Sequence, residues 1–488
     1  MVTRPLGLSS SIRSLASGIC LGLILCSGCG LSTPSTKAKK PKPVVVPFQP
    51  PIAKEPGAFD AQSVQQDSIL IYNATLLTAD DARPQIEGGW IRINNGLIEA
   101  LGSGRAPKIM KGERRFDAKH GFLTPGLVDT HSHLGVYPSP HVWAHSDGNE
   151  MTNPITAGIR AEEAFWPQDP GIERAVAGGV TTIQILPGSG NLMGGRGAVL
   201  KLHPSRESRA MRFPGAADAL KMACGENPKR VYGKGRRAMP MSRMGSLFLM
   251  RKTWIAARRY KLAWDTWRKN PEKMVSGVLM PVKPPKRDLN LETLAMVLEG
   301  KINVHVHCYR ADEMLLQLKL AKEFGYKIKS FHHAVEAYKI RDVLAREGVS
   351  VSTWADWWGF KIEAYDAIEQ NLALLTESGA IAVLHTDSEE GIQRMNQEAA
   401  KAYWAGVHSG VQLSEHDALK WITYNPAVAL GVAEKVGSLV IGKHGDIVVW
   451  DRHPFSVYAK PQLVLIDGLI RFNSTEKRIP WSDFEVGQ

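Results

Sequence analysis

The chain has little cysteine: five residues in 488, three of which (Cys20, Cys26 and Cys29) fall within the first 29 positions. That excludes a disulfide-dense scaffold and leaves Cys224 and Cys308 as one pair. Acid is also short, 48 Asp and Glu against 60 Lys and Arg, but the deficit is local. Residues 228–288 hold 17 Lys and Arg against Asp265, Glu272 and Asp288, so the rest of the chain is close to neutral. Nucleic-acid binding by the molecule as a whole is therefore excluded, and one basic insertion needs a local explanation. Past the N-terminus no apolar run is long enough to span a bilayer. No short-period repeat occurs. The glycine-rich stretch 188–197 lacks the Gly-Lys-Ser/Thr ending of a phosphate loop.

What is present is an ordinary globular composition, 44% hydrophobic and 22% charged, in a chain long enough for one barrel and a satellite domain. At the start, Arg4 and Arg13 flank a short apolar stretch, 15–25, ending in Leu25-Cys26-Ser27-Gly28-Cys29. Such a segment is an export signal rather than a transmembrane helix. Its end resembles the lipobox of bacterial lipoproteins, with Cys26 where leucine is usual, and this implies a signal over 1–29 with Cys29 lipidated. The alternative is cleavage near Gly28 without lipid. Seven prolines between residues 30 and 57 make 30–64 an extended spacer. The expectation is an exported lipoprotein, anchored at the periplasmic face or elsewhere in the cell envelope.

Two β-rich segments, 65–120 and 432–488, flank the middle of the chain and predict one small β-sandwich assembled from both ends of the mature protein. Between them, 121–431 alternates apolar strand-like runs with helical patterns. This βαβα rhythm predicts an α/β fold with a parallel sheet, and its seven or eight units fit a (β/α)₈ TIM barrel.

Metal-type side chains recur at the ends of these strand-like runs, where barrel enzymes place their sites. In Thr124-Pro-Gly-Leu-Val-Asp-Thr-His-Ser-His, His131 and His133 are spaced to share one face of a strand. With Gly178-Gly-Val-Thr-Thr, Arg310-Ala-Asp-Glu, His333-Ala-Val-Glu-Ala-Tyr, His385-Thr-Asp and Asn425-Pro-Ala-Val-Ala-Leu-Gly, the chain resembles the amidohydrolase superfamily. The likeness is to its imidazolonepropionase-like and prolidase-like branch, and it runs from about residue 69 to 473.

The resemblance implies one or two divalent ions, Zn²⁺ in the first instance. The ligands would be His131 and His133 on the first strand, a histidine on the fifth, another on the sixth and Asp387 on the eighth. On the fifth, His307 lies nearer the strand end than His305. On the sixth, His332 and His333 should point to opposite sides, and the motif favours His333. His385 shares a face with Asp387 but lies deeper. On the fourth, Lys221 would be a carboxylated lysine, with Glu226 as competitor. Metal-activated water would attack a carbonyl or amidine-like carbon. Asp387 would move the proton to the leaving nitrogen, and His333 would bind a second metal or polarise the carbonyl.

Substrate contacts are expected from loops after the strands: His145, Arg196, Glu226, Tyr232 and Arg310. Arg196, among glycines, suits a substrate carboxylate. In the basic insertion, residues 244–269 predict a helix mixing Trp254, Trp264 and Trp267 with arginines and lysines. It is read as packing on the barrel side; lying on an anionic membrane is the alternative. The fourth and fifth strands would be neighbours about 4.8 Å apart, which lets Cys224 and Cys308 bond in an oxidising compartment.

The expected activity is hydrolysis of an amide or peptide-like bond in a small substrate, such as a dipeptide or N-acyl amino acid. The alternatives are a cyclic amidine or imidazolone hydrolase or deaminase, and a metal-binding envelope protein without activity. Homo-oligomerisation is left open.

Overall fold

The computed structural model describes residues 68–276 and 278–476. The expected signal, Cys29 and the Pro-rich spacer lie outside these residues. Five strands open the described chain: β1 Ile69–Leu77, β2 Gln85–Asn94, β3 Leu97–Ser103, β4 Arg114–Asp117 and β5 Phe122–Pro125. The barrel strands are β6 Leu127–Ser132, β7 Val180–Ile185, β8 Met193–Lys201 and β9 Ala219–Ala223. After a hairpin, β10 Glu272–Val275 with β11 Val278–Pro281, come β12 Asn303–Cys308, β13 Ile328–His333, β14 Ser350–Thr353 and β15 Ala382–Leu384. The chain returns with β16 Ile447–Trp450, β17 Pro461–Ile466 and β18 Leu469–Asn473.

Both ends build one eight-stranded sheet, β18-β17-β16-β5-β1-β2-β3, with β4 on β1. Strand alternation divides its side chains between two cores. Ile447 and Val449 of β16 join Ile71, Ile91 and Leu463 in a core of the sheet's own. Val448 and Trp450 face the other way, into the core of the barrel. The sequence anticipated two sheets packed as a sandwich; the strands observed join edge to edge in a single sheet.

The barrel sheet runs β15-β14-β13-β12-β9-β8-β7-β6. At the far edge Asp387 N–H donates to His131 C=O over 3.2 Å, drawing the end of the eighth strand onto the first. One expectation needs correcting. The third strand, β8, is antiparallel to both neighbours. Its cause is chain length: residues 186–192 join β7 to β8, and a parallel crossover needs a dozen or more residues. The loop after β6 lies so close to this turn that a Cβ on Gly188 would stand 1.6 Å from Asn149 Nδ2.

The basic insertion carries the helix Arg243–Lys269, capped by Ser242, whose side chain accepts from Gly245 N–H. Met250, Trp254, Ala257 and Trp264 recur every three, four or seven residues and are buried together. Trp254 stacks on Tyr326 at 4.4 Å, and Tyr260 donates to Glu292 of the helix Leu289–Leu298. The helix thus packs on the barrel side, while Met244, Phe248 and Leu262 face solvent. No helix among the described residues is long and apolar enough to cross a membrane.

Candidate metal centre

The C-terminal ends of the barrel strands gather seven histidines, one lysine and two aspartates. His131 Nε2 and His133 Nε2 lie 3.3 Å apart. Asp387 Oδ1 lies 3.4 Å from the first and 3.2 Å from the second. The second nitrogen of His133 meets the carbonyl of Leu186 at 2.9 Å, which fixes the ring. Lys221, on β9, brings Nζ within 3.3 Å of His131 Nε2 and donates to the carbonyl of Pro187.

The sixth strand departs from the expected alternation. His332 is paired in register with His307, so its ring faces inward; its nitrogens lie 2.9 Å from His131 Nδ1 and 2.8 Å from His305 Nδ1. His333 has φ of 70°, a left-handed backbone that leaves strand geometry. Its ring therefore also reaches the site. His333 Nδ1 is 3.0 Å from His385 Nε2 and 3.7 Å from Asp387 Oδ2. Both histidines are buried in the site, and the ring of His333 packs against Tyr309 at 5.5 Å and Trp354 at 4.6 Å, which also touch each other.

Among the described residues, two sets of ligand atoms at the barrel mouth are close enough to share an ion: His131, His133 and Asp387, and His131, His332 and His385. His307 is not in either set. Its ring lies 4.4 Å from that of His333, its Nε2 is 3.4 Å from Asn227 Nδ2, and its buried Nδ1 has no partner. A third set, His444, Asp446 and Asp467, is closed instead around the ammonium of Lys201.

Burial sets the charge states. It holds His131, His307, His332 and His333 well below the usual imidazole range, and brings His385 down to about 4 and His305 to about 3. These rings are neutral, with lone pairs available. Burial brings Lys221 down to about 7. Asp387 is pushed up by burial, but its hydrogen bond and charge interaction with His133 outweigh this and keep it ionised. Asp129, beneath His131, is raised by burial to about 7; it accepts from His131 N–H and from the Thr386 hydroxyl, so it ties the first strand to the eighth. Neutral imidazoles, a carboxylate and nitrogens left without partners form a donor set that fits a borderline divalent cation.

The expected substrate contacts lie elsewhere for the most part. Because β8 runs antiparallel, Arg196 descends below the strand ends, where it is buried and paired with Asp218. Arg310 is bound to Asp312 at 2.9 Å. Tyr232 donates to the carbonyl of Asn153 at 2.8 Å, and burial pushes its phenol up to about 12. His145 stacks on Trp166. Glu226 is the nearest to the site, 3.8 Å from Lys361, a residue sequence reasoning passed over. Tyr309, Trp354 and Asn227 were passed over too; only their places directly after the fifth, seventh and fourth strands could have marked them.

The family model for the amidohydrolase family matches residues 301–471. An amidohydrolase crystal structure from Thermotoga maritima MSB8 is 35% identical, with a TM-score of 0.74, over 83% of this chain and 100% of that one. The amidohydrolase tasK of Hapsidospora irregularis is 32% identical over 83% of this chain, which spans only 43% of that relative. Imidazolonepropionase of Streptococcus pyogenes serotype M18 is 22% identical over 79% of this chain and 92% of its own. The chain belongs to the amidohydrolase family.

Proposed function

We propose that this enzyme hydrolyses an amide or peptide-like bond in a small substrate such as a dipeptide or N-acyl amino acid, with zinc as its metal. Amidohydrolases use a divalent metal, and His131, His133 and Asp387 would hold one. The second group, His131, His332 and His385, would serve a further ion, while Lys221 stands beside His131 Nε2 on the side of the first group. Bound there, zinc would make water acidic enough to supply hydroxide near neutral pH and would polarise a carbonyl.

The observation that carries the reading is Asp387. An ionised carboxylate, 3.2 to 3.4 Å from two imidazole nitrogens at the mouth of the barrel, can take a proton from water and return it to a leaving nitrogen. His333, neutral and packed against Tyr309 and Trp354, stands 3.7 Å from Asp387 Oδ2 and can polarise the substrate carbonyl.

The export expected from the N-terminal sequence would favour a peptide-type substrate, since histidine breakdown is cytosolic; the imidazolonepropionase relative supports imidazolone hydrolysis as the second reading. Metal analysis joined to a screen of dipeptides, N-acyl amino acids and imidazolonepropionate tests both. Zinc with turnover of an N-acyl amino acid or dipeptide is the expected result. Turnover of imidazolonepropionate alone would replace the first reading with the second. Anchoring through Cys29 is proposed with it: labelled palmitate should enter the wild type and not Cys29→Ser, and its failure to enter the wild type removes the anchor.

A further inference from the structure

The strand-end loops hold cations other than the two arginines that the sequence singles out. Arg196 and Arg310 are each bound to an aspartate. Lys361, on the loop after β14, is placed differently. Its side chain is 16% exposed, and its nearest acid, Glu226, stands 3.8 Å away, outside hydrogen-bond distance. Its Nζ lies 4.0 Å above the ring of Tyr309 and 3.4 Å from Asn227 Oδ1. Both contacts lead to the metal centre: Tyr309 stacks on His333, and Asn227 Nδ2 is 3.4 Å from His307 Nε2. A cation therefore stands one aromatic ring away from the reacting groups.

The same loop exposes large apolar side chains. Trp357 is 39% exposed, Trp358 59% and Phe360 55%. They continue an aromatic cluster that begins at His333: Trp354 stacks on His333 at 4.6 Å and on Trp357 at 4.8 Å. A cavity of about 460 Å³ opens beside Trp354, Trp357 and Trp358, with Ile368, Asp356 and Glu369 on its other walls; Lys361 and Phe360 lie next to it rather than in its lining. That volume suits a small-molecule group of phenyl size or larger.

We infer that this loop is a substrate subsite, in which Lys361 takes a carboxylate and the tryptophans and Phe360 take an apolar or aromatic body. The ligand class is a monoanion. Glu226, Glu363 and Asp387 act on Lys361 alongside a single further cation, Arg230, so the surroundings favour one negative charge over a dianionic phosphate. Resting on the hydrolase reading above, the inference narrows its substrates to acyl or peptidyl derivatives of amino acids with bulky apolar side chains and a free carboxylate.

Calorimetric binding to the metal-loaded enzyme tests it, with 3-phenylpropionate and 3-phenylpropanol as probes. The expected result is about tenfold tighter binding of the carboxylate, the worth of one charged hydrogen bond. Lys361→Met should remove that preference, Lys361→Arg should keep most of it, and Trp357→Ala should weaken both probes alike. A preference that survives Lys361→Met overturns the subsite, because the carboxylate is then held by the metal or another group; so does equal binding of both probes by the wild type. Neither probe contains a C–N bond. Carboxylate selection through Lys361 without hydrolysis of any amide would sink the proposed reaction and leave the subsite standing.

Discussion

Cys224 and Cys308 are bonded to each other across the ends of β9 and β12, with Cα atoms 5.2 Å apart. Cys308 follows His307 directly, and Cys224 N–H donates to the carbonyl of His307 over 2.9 Å. The disulfide joins positions 84 apart in the sequence and closes a loop that contains the whole basic insertion. It also fixes the backbone from which Glu226 and Asn227 lean toward Lys361.

Denatured, unreduced mature protein should therefore show neither Cys224 nor Cys308 as a free thiol. The double variant Cys224→Ala/Cys308→Ala should lose about 2–5 kcal/mol of unfolding free energy, the usual cost for a long closed loop. Urea melts check the magnitude. Two reactive thiols in the wild type would contradict the bond.

Asp387→Asn should retain its metal, held by the remaining histidines, while hydrolysis falls by about 10²–10⁴-fold. The carboxylate is the one ionised acid among the paired ligand atoms of the first and eighth strands, and an amide cannot carry the proton. Metal content and turnover measured on one preparation separate the two effects. Full activity in the variant would remove Asp387 from the mechanism.

Much of this site is legible before any coordinates. His131, His133 and Asp387 close apolar runs and Lys221 lies within one, and all four meet within a few ångströms. Three features escape for physical reasons. A run such as Ala198-Val-Leu-Lys does not state its own direction, so β8 reads as parallel, although the seven-residue connection before it allows only a hairpin. Alternation assigns neighbours on a strand to opposite faces, and it fails at His333 because φ there is 70°. A charged residue in a glycine-rich stretch reads as a ligand contact until its partner is known, and Asp218, 22 positions from Arg196, is not recognisable as that partner from spacing. Lys361 is missed for the converse reason: it lies in a loop with no motif, and only the fold brings Tyr309 beneath it.

The last prediction concerns the opposite end of β8, where Lys201 is 2% exposed and its ammonium binds Asp446 at 2.9 Å and Asp467. Asp467 sits in the turn between β17 and β18, so this cluster joins the barrel to the terminal sheet. Burial pushes the Asp467 carboxyl up, but the hydrogen bond from His203 and the charge of Lys201 outweigh it and hold it below the usual value of 3.8. The unfolded chain therefore takes up a proton first as pH falls. The stability this group contributes is complete above about pH 4 and is lost as pH drops below it. Asp467→Asn leaves Lys201 with half its counter-charge and should cost on the order of 3 kcal/mol at pH 7. Below pH 3.8 the gap between wild type and variant should close by about 1.4 kcal/mol per pH unit. Urea midpoints from pH 7 to about pH 2.5 measure it, and a gap that stays constant over that range would show that Asp467 is not held ionised by this cluster.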